Sequence, residues 1–371
     1  MAGKIRNYYA GGNTARGFRH FYDSNLQGLD RLFILKGGPG TGKSSLMKSI
    51  GKKFSDQGYD LELLHCSSDN DSIDALIIPA IGFGIVDGTA PHVIEPKAPG
   101  AIEQYVNLGA AWNASQLANQ KKEILNLTSQ ITDSFNTAYS TFGEALRIHD
   151  EWEKIYIENM NFNQANLLTN ELIERFFGEI SLHKKSDIRH RYLGAATPQG
   201  AVDFIPNLTE DVAKRYFIKG RPGSGKSTML KKLAAAAEER GLDVEIYHCG
   251  FDPNSLDMVI VREIGIAIFD STAPHEYFPE RENDEIVDMY QRAISPGTDE
   301  KYAAEIEEIS NRYSGKMKEA ISYLAKAKAL HDELEQIYVA AMNFDIVDEI
   351  KAEIEEEIDK LAQIAASTET E

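Results

Sequence analysis

The chain contains only two cysteines in 371 residues, too few for a disulfide framework. It is also short of positive charge, because 39 Lys and Arg stand against 58 Asp and Glu. Nucleic-acid phosphates and anionic lipid surfaces are neutralised by clustered Lys and Arg, so neither is expected as a partner. No apolar run approaches the ~18 residues of a membrane span, and the N-terminus MAGKIRNYYAGG lacks the apolar core of a signal peptide. The sequence therefore predicts a cytoplasmic protein.

What the chain does contain is an ordinary globular composition. Hydrophobic residues make up 42% and charged residues 26%, which excludes a disordered or fibrous protein. The length is about twice that of a usual domain. Two domains are the expectation before any motif is considered.

The sequence repeats itself at an offset of 183 residues. Lys43 follows GGPGTG, and Lys226 follows GRPGSG. At the same offset, DGTAPH begins at Asp87 and DSTAPH begins at Asp270. Self-similarity at a fixed offset is the mark of a duplicated structural unit.

The repeat continues toward the end of each half. IHDEWEKIYIENMNF (148–162) matches LHDELEQIYVAAMNF (330–344), here at an offset of 182 residues. The chain is thus interpreted as a tandem duplication with predicted domains at 1–183 and 184–371.

Each half shows the pattern of an α/β domain. A short β-rich run ends in a Gly-rich loop, and a helix follows that ends near Gly58 or Gly241. A second strand, LELLHC or VEIYHC, and a third apolar run come next. Strands that alternate with helices predict βαβ units and a mainly parallel sheet. The predicted fold class is α/β, with two tandem domains of this kind.

The later part of each half predicts a helical hairpin, at about 100–180 and about 283–366. An Asn-Phe pair, at Asn161 in the first half and Asn343 in the second, marks the turn between the two helices. One interpretation is that these hairpins pack on their own domain or on each other. The other is an arm or lid that binds a protein partner, since an amphipathic helix alone does not tell the two apart.

Two segments match G-x-x-x-x-G-K-[ST], the Walker A pattern of phosphate-binding loops. Its glycines let backbone N–H groups turn inward around a β-phosphate, and the following helix N-terminus adds positive charge. In this pattern Lys43 and Lys226 reach the β- and γ-phosphates, while the Ser44 and Ser227 hydroxyls bind Mg²⁺. The predicted nucleotide-binding residues are Gly37, Gly38, Pro39, Gly40, Thr41, Gly42, Lys43, Ser44, Ser45, Gly220, Arg221, Pro222, Gly223, Ser224, Gly225, Lys226, Ser227 and Thr228.

A second metal ligand is expected at the end of a neighbouring strand. IGFGIVD ends at Asp87 and IGIAIFD at Asp270, each 44 residues after its lysine. Ligands of parallel sheets bind at the carboxyl ends of strands, so these aspartates are predicted to hold Mg²⁺. The alternative is an ordinary Asp that begins a turn.

With these motifs the chain resembles P-loop NTPases. The doublet GxPGxGKS with HC…D..S.D…D[GS]TAPH resembles an uncharacterised family of bacterial tandem P-loop ATP-binding proteins, over nearly the whole chain. The resemblance implies ATP binding and ATPase activity, with ATP preferred over GTP because no N-K-x-D segment is present. Gly88 or Ser271 follows the metal aspartate, where many ATPases of the AAA and RecA types have Glu. Without that water-activating base, slow hydrolysis is expected.

Polar residues repeated at the predicted strand ends are the candidates for catalysis, beside Lys43 and Lys226. Asp69 and Asp252 would orient a water or an acceptor hydroxyl. His92 and His275 would sense the γ-phosphate or stabilise developing charge. The alternative is that these residues cap turns.

Further candidates remain open. Arg6, Arg189 or Arg221 could stabilise charge at the phosphates. The segments GGNTARG and GAATPQG could contact adenine or the other half's phosphate, or be ordinary loops. Adjacent His and Cys on one strand point to opposite faces, so a soft-metal site at His65 and Cys66 is disfavoured.

The leading function predicted from the sequence is a slow Mg²⁺-dependent ATPase that couples nucleotide state to conformational change. The alternatives are a P-loop kinase acting on a small acceptor and a nucleotide-gated binding protein without useful turnover. By analogy with homodimers, the two halves are expected to face each other as an internal pseudo-dimer.

Overall fold

The computed structural model of the protein describes residues 2–368. The β-strands are β1 Ile5–Tyr8, β2 Gly11–Thr14, β3 Gly17–His20, β4 Arg31–Lys36, β5 Leu61–His65, β6 Ile73–Ile78, β7 Phe83–Asp87, β8 Glu103–Asn107, β9 Ile188–Tyr192, β10 Gly194–Thr197, β11 Gly200–Asp203, β12 Lys214–Lys219, β13 Val244–His248, β14 Leu256–Val261, β15 Ile266–Asp270 and β16 Glu285–Asp288. The α-helices are α1 Tyr22–Asn25, α2 Lys43–Asp56, α3 Ala114–Asn119, α4 Lys121–Glu158, α5 Phe162–Phe177, α6 Ile205–Leu208, α7 Lys226–Glu238, α8 Met289–Ala293, α9 Thr298–Lys301, α10 Ala303–Val339 and α11 Phe344–Thr368.

Two six-stranded sheets confirm the mixed α/β class and the mostly parallel strands. Their orders are β1-β5-β6-β7-β4-β8 and β9-β13-β14-β15-β12-β16. In each sheet one strand, β6 or β14, runs antiparallel to both of its neighbours. The third apolar run of each half is therefore two strands, because a short 3₁₀ turn such as Pro79–Ile81 joins β6 to β7 as a hairpin.

Each sheet also contains a strand in a region expected to be helical. β8 pairs in parallel with β4, and β16 pairs in parallel with β12. The helical hairpins predicted at about 100–180 and about 283–366 therefore begin too early. These short strands lie at a sheet edge and are half polar, so they carry little of the apolar pattern that marks a buried strand.

The sheet topology gathers the polar residues of each half at one edge. β4, β5 and β7 run in the same direction, so Lys36, His65 and Asp87 lie at their common carboxyl edge. β6 runs the other way and therefore begins at that edge, with Asp74 as its second residue. The loop after β4 leads directly into α2 at this edge, which places the first Gly-rich loop beside Asp87.

The structure divides into two compact units that are discontinuous in sequence. Unit 1 comprises 1–11, 26–136 and 323–371, and unit 2 comprises 12–25 and 137–322. They differ from the contiguous halves 1–183 and 184–371 expected from the repeat. Hereafter "repeat" means a sequence half, and "unit" means one of these compact bodies.

In unit 1, a helix of the second repeat completes the core around the first Gly-rich loop. α11 packs on α2, and its residues Val347, Ile354 and Ile358 join the same buried cluster as Met47 and Ile50 of α2. Ion pairs from Lys53 Nζ to Glu355 and Asp359, at 3.0 and 3.2 Å, border this contact. Burial of apolar side chains at about 25 cal/mol per Å² drives such packing.

In unit 2, a helix of the first repeat has the corresponding place. α5 packs on α7 and α8, and Leu168, Leu172 and Phe176 share a buried cluster with Leu230 and Leu233 of α7. The Asn161 side chain accepts a hydrogen bond from the backbone N–H of Gln164 and so caps the start of α5. The Asn-Phe turn predicted at this position is thus the N-terminus of the exchanged helix.

Of the two interpretations of the hairpins, one was that they pack on their own domain or on each other; α5 and α11 pack on the helix that follows the Gly-rich loop of the other repeat. The length of α4 gives a physical reason. With 38 residues it is ~57 Å long, well beyond the roughly 30 Å diameter of a small domain. Residues of α4 up to 136 belong to unit 1 and later ones to unit 2.

Among the described residues, no helix combines the length and the apolar composition of a membrane-spanning segment.

Candidate functional site

The two Gly-rich loops join a central strand to a helix in the same way. β12 ends at Lys219 and α7 begins at Lys226, as β4 ends at Lys36 and α2 begins at Lys43. In the second loop Gly223 and Gly225 have φ of +70° and +87°. L-residues with a Cβ avoid this left-handed region, so these turns require glycine.

The remaining loop glycines allow a close internal approach. A Cβ on Gly37 would lie 2.7 Å from Thr41 Oγ1, and one on Gly220 would lie 2.5 Å from Ser224 Oγ. The Thr41 hydroxyl donates to the Gly38 carbonyl at 2.8 Å and so ties the first loop together. The predicted residues of each loop therefore form one compact turn over a helix N-terminus.

The lysine of the second loop reaches the predicted metal aspartate. Lys226 Nζ lies 3.3 Å from Asp270 Oδ2 and donates to Thr272 Oγ1 at 3.2 Å and to the Arg221 carbonyl at 3.3 Å. Its side chain is 12% exposed. The ammonium thus bridges the loop and the end of β15.

The lysine of the first loop has a similar arrangement. Lys43 Nζ donates to the carbonyls of Gly37 and Gly38, at 3.0 and 2.9 Å, and lies 3.6 Å from Asp87 Oδ2. Within each unit, the loop lysine thus lies close to the strand-end aspartate, two residues that were identified separately in the sequence.

The aspartates predicted to hold Mg²⁺ also fit the alternative interpretation, that of turn residues. Asp270 Oδ1 accepts from the backbone N–H and the hydroxyl of Thr272, at 3.1 and 2.6 Å. Asp87 Oδ1 accepts from Thr89 in the same way, at 2.9 and 2.6 Å. Only one carboxylate oxygen of each is used in the turn, and the other points toward the loop lysine.

The predicted hydroxyl ligands are fixed by the neighbouring antiparallel strands. Ser227 Oγ accepts from the backbone N–H of Leu256, and Ser44 Oγ accepts from that of Ile73, both at 3.0 Å. Leu256 and Ile73 are the first residues of β14 and β6. The extra strand in each sheet therefore positions the serine of each loop.

A second aspartate, Asp257, lies next to this site on β14. It is 8% exposed, and burial raises its pKa to about 6, with a further contribution from the charge of Asp270. Lys226 and His275 act against this shift. Two carboxyl groups thus approach the same loop lysine from adjacent strands.

The two candidate histidines occupy different surroundings. His92 Nδ1 is 2.9 Å from the Asp87 carbonyl, and its Nε2 is 3.6 Å from Asp74 Oδ1. His275 Nδ1 is 2.8 Å from Asp203 Oδ2, and although burial lowers its pKa, this hydrogen bond and nearby carboxylates raise it overall. Both histidines are therefore fixed by protein partners, and His275 also lines the cavity that contains Lys226.

The candidate bases Asp69 and Asp252 each face a cation. Asp69 Oδ2 accepts from the Ser72 hydroxyl at 2.8 Å, and its Oδ1 lies 3.7 Å from Lys328 Nζ. Asp252 Oδ1 lies 2.8 Å from Arg16 Nε. The segment GGNTARG, left open as a loop in the sequence, therefore supplies Arg16 to the second site.

The candidate arginines have other partners. Arg221 donates to Asp299 at 2.8 Å and lies over the ring of Tyr290. Arg189 is paired with Asp187, at 2.8 Å. Arg6 lies on the edge strand β1, which three strands separate from β4.

The disfavoured soft-metal site also has a structural account. His65 Nε2 lies 2.8 Å from Asn7 Oδ1, and burial lowers the pKa of His65 to about 4. Burial raises the pKa of the Cys66 thiol well above its ordinary value. Cys66 is half-buried, and a neutral thiol of this kind behaves as a small hydrophobic residue.

A cavity of about 810 Å³ opens in front of the second loop. Its lining includes Lys226, Asp270 and Asp252 of the second repeat. It also includes His149 and Glu153, which belong to α4 of the first repeat. Neither residue is among the candidates predicted from the sequence, although the match between 148–162 and 330–344 is a signal that points to them.

Comparison of the chain with protein-family models, with curated proteins and with solved structures finds no match.

Proposed function

We propose that each unit binds the phosphates of Mg·ATP at its Gly-rich loop, and that the protein hydrolyses ATP slowly. The observation that carries this proposal is the convergence of a loop lysine and a strand-end aspartate at a helix N-terminus, with Lys226 Nζ 3.3 Å from Asp270. Inward backbone N–H groups, a helix dipole and an ammonium are the chemistry that binds a polyphosphate. The same arrangement occurs in both units.

The volume of the cavity in unit 2 is consistent with a ligand of the size of a nucleotide. Small-molecule sites commonly enclose about 300–1,000 Å³, and this cavity of about 810 Å³ lies within that range. The loop forms one wall, and Gly223 and Gly225 provide the turns that such a loop needs. ATP is preferred to GTP because the sequence contains no N-K-x-D segment.

The residues present also fit a bound Mg²⁺. Ser227 Oγ and the Asp270 carboxylate are hard oxygen donors, one next to Lys226 in sequence and the other 3.3 Å from its Nζ, and Ser44 and Asp87 have the corresponding places at Lys43. When bound, Mg²⁺ would neutralise charge that develops on the phosphates. The chain's own lysines would meanwhile release their carboxylate partners and turn to the phosphate oxygens.

The test uses Lys43→Ala, Lys226→Ala and the double variant, with ATP binding and ADP release both measured. We expect each single variant to lose one bound nucleotide and the double variant to lose both. Lys52→Ala is a matched control, because Lys52 lies on the same helix as Lys43 but is 77% exposed and pairs with Asp56. Wild-type protein that binds no ATP would contradict the proposal, and binding without ADP release would contradict hydrolysis.

The two tryptophans of the chain allow the sites to be observed separately. Trp152 lines the cavity of unit 2, so Trp112→Phe leaves a single reporter near the Lys226 loop. Trp112 lies against Tyr338, whose ring approaches Gly38, so Trp152→Phe leaves a reporter near the Lys43 loop. Nucleotide should change the fluorescence of each single-tryptophan variant, and the matching lysine substitution should abolish the change.

A further inference from the structure

We propose that each site is completed by the other repeat, whose long helix supplies the glutamate that orients the attacking water. This glutamate is Glu153 of α4 at the Lys226 loop and Glu335 of α10 at the Lys43 loop. The inference rests on the proposed function. In the proposed step, the water oxygen bonds to the γ-phosphorus as the bond from that phosphorus to the β–γ bridging oxygen breaks. ADP and inorganic phosphate form, and the proton that the water loses passes to the glutamate carboxylate.

The first support is the close approach of helix and loop. A Cβ added to Gly223 would lie 2.5 Å from the Glu153 carbonyl oxygen, and one added to Gly40 would lie 2.8 Å from that of Glu335. A real Cβ does not come so close to a carbonyl oxygen, so both loops need glycine to accept the helix. Each contact joins a loop of one repeat to a helix of the other within a single unit.

The second support is that the helix presents the same residues to both loops. His149 and Glu153 in α4 correspond to His331 and Glu335 in α10. The pairs have the same geometry, with Nδ1 to Oε1 distances of 3.7 and 3.8 Å. Two equivalent side-chain pairs therefore meet the two equivalent loops.

The third support is the environment of Glu153. Its side chain is 36% exposed, lines the cavity with Lys226, and has a raised pKa, chiefly through burial and then through the charge of Asp150. The backbone N–H of Gly223 and the charge of Lys226 act against that shift, which places both groups near the carboxyl. A carboxylate of increased basicity is a more effective proton acceptor.

The fourth support is that the usual position for this base is closed. A Cβ on Gly88 would lie 2.3 Å from Ile34 Cγ2, so a side chain larger than that of glycine does not fit there. Its counterpart Ser271 is fully buried, and its hydroxyl donates to the Tyr277 carbonyl at 2.6 Å. An acidic group that replaces this glutamate would therefore come from another element, and α4 and α10 each bring a glutamate against one loop.

The experiment places Glu153→Gln and Glu335→Gln separately in two backgrounds, each with one intact loop. In Lys43→Ala protein, where only the Lys226 loop is intact, we expect Glu153→Gln to slow single-turnover ADP formation about 100-fold. ATP affinity should stay within threefold, and Glu335→Gln should have no effect. In Lys226→Ala protein the two glutamine variants should exchange roles. Glu151→Gln, an exposed neighbour of Glu153, is the control for a general change in α4.

The outcomes separate this inference from the proposed function. If parent proteins bind and hydrolyse ATP but each glutamine variant acts on its own repeat's loop, or on neither, the completion of each site by the other repeat is wrong. If wild type binds ATP without hydrolysing it, the water-orienting role is wrong. If no ATP binds, the proposed function itself fails. A thermal melt of each variant checks that any loss is not unfolding.

Discussion

Arg16 Nε lies 2.8 Å from Asp252 Oδ1, although 236 residues of sequence separate them. In unit 1 the equivalent carboxylate, Asp69, instead has Lys328 Nζ at 3.7 Å. The repeat places Gln199 at the position that corresponds to Arg16. The two candidate sites therefore share their loops but differ in the cation beside the candidate base, and the cation comes from a different element in each.

This asymmetry predicts different effects of substituting the two cations. In Lys43→Ala protein, Arg16→Gln should weaken ATP binding at the Lys226 loop about 3- to 10-fold, because Asp252 would then repel the phosphates without compensation. The effect should shrink at high salt. Titration of ATP at two salt concentrations measures it.

A matched substitution provides the control for Arg16→Gln. Lys328→Met should leave ATP binding at the Lys226 loop unchanged in the same background. Stability should change by less than about 1 kcal/mol in either variant, because both pairs are partly exposed. Equal effects of the two substitutions on the Lys226 loop would contradict the assignment.

The contact between helix and loop predicts an unusually costly glycine substitution. Gly223→Ala combines a φ of +70° with a Cβ 2.5 Å from the Glu153 carbonyl, and should cost about 3 kcal/mol or more of unfolding free energy. Gly200→Ala is the control, since φ is +103° but no described heavy atom lies within 4 Å of the added Cβ. It should cost about 1–2 kcal/mol. Urea denaturation measures both, and equal costs would show that α4 does not press on the loop.

The buried carboxyl of Asp257 predicts a pH dependence of stability. Its pKa is about 6 in the folded protein against an ordinary 3.8, so the folded state binds more protons than the unfolded state between these values. Stability from this group therefore falls as pH rises from about 4 to about 6 and stays low above. The free energy of unfolding of Asp257→Asn should rise relative to wild type, by up to about 3 kcal/mol, as pH increases from 4 to 7, because the amide does not ionise. Urea denaturation at a series of pH values measures this.

A second aspartate of unit 2 supplies the control of opposite sign. Burial acts to raise the pKa of Asp284, but hydrogen bonds from Arg215 and from two backbone N–H groups outweigh it and lower that pKa. Its contribution to stability is therefore present at neutral pH and lost as pH falls. Asp284→Asn should therefore show a constant deficit in unfolding free energy between pH 4 and pH 7, and the deficit should shrink only below about pH 4. Denaturant midpoints of both variants across this range measure the difference. A curve for Asp257→Asn that runs parallel to that of Asp284→Asn between pH 4 and pH 7 would contradict the raised pKa of Asp257.

The proposed metal site predicts a separation between nucleotide and Mg²⁺. Asp270→Asn removes the carboxylate near Lys226 and should leave ATP binding in EDTA unchanged or tighter, because Lys226 loses a competing partner. The tightening of ATP binding by added Mg²⁺ should be lost at this loop. Binding in Lys43→Ala protein, with and without Mg²⁺, measures this. An unchanged Mg²⁺ response would assign the metal to other ligands.

Much of the site could be predicted because its signals are local. The loop pattern specifies Gly223 and Gly225 by backbone geometry, and a strand that ends in Asp270 has to end beside the loop of a parallel neighbour. The antiparallel strands β6 and β14 were missed, because a strand buried between two others shows no alternation. Pro79 and Gly82 are the residues that interrupt the apolar run between β6 and β7.

The exchange of helices could not be predicted for a different physical reason. An amphipathic face specifies that a helix is covered, but it does not specify which core covers it. Leu168 of α5 is an apolar residue whose type would suit the core of either unit. The contact of α5 with α7 depends on where α4, ~57 Å long, ends. The direction of α4 is a property of the whole fold.

The exchanged helices mean that neither repeat carries a whole core. A chain cut between residues 183 and 184 would contain every amino acid, yet the fragment 184–371 would leave the face of α7 that packs against Leu172 and Phe176 open to water. The fragment 1–183 would likewise lack Ile354 and Ile358 for α2. Each fragment alone should aggregate or pair with a second copy of itself. When the two fragments are mixed, each should complete the core of the other. The peptide bond between residues 183 and 184 would then be dispensable, while the packing of α5 on α7 and of α11 on α2 would not.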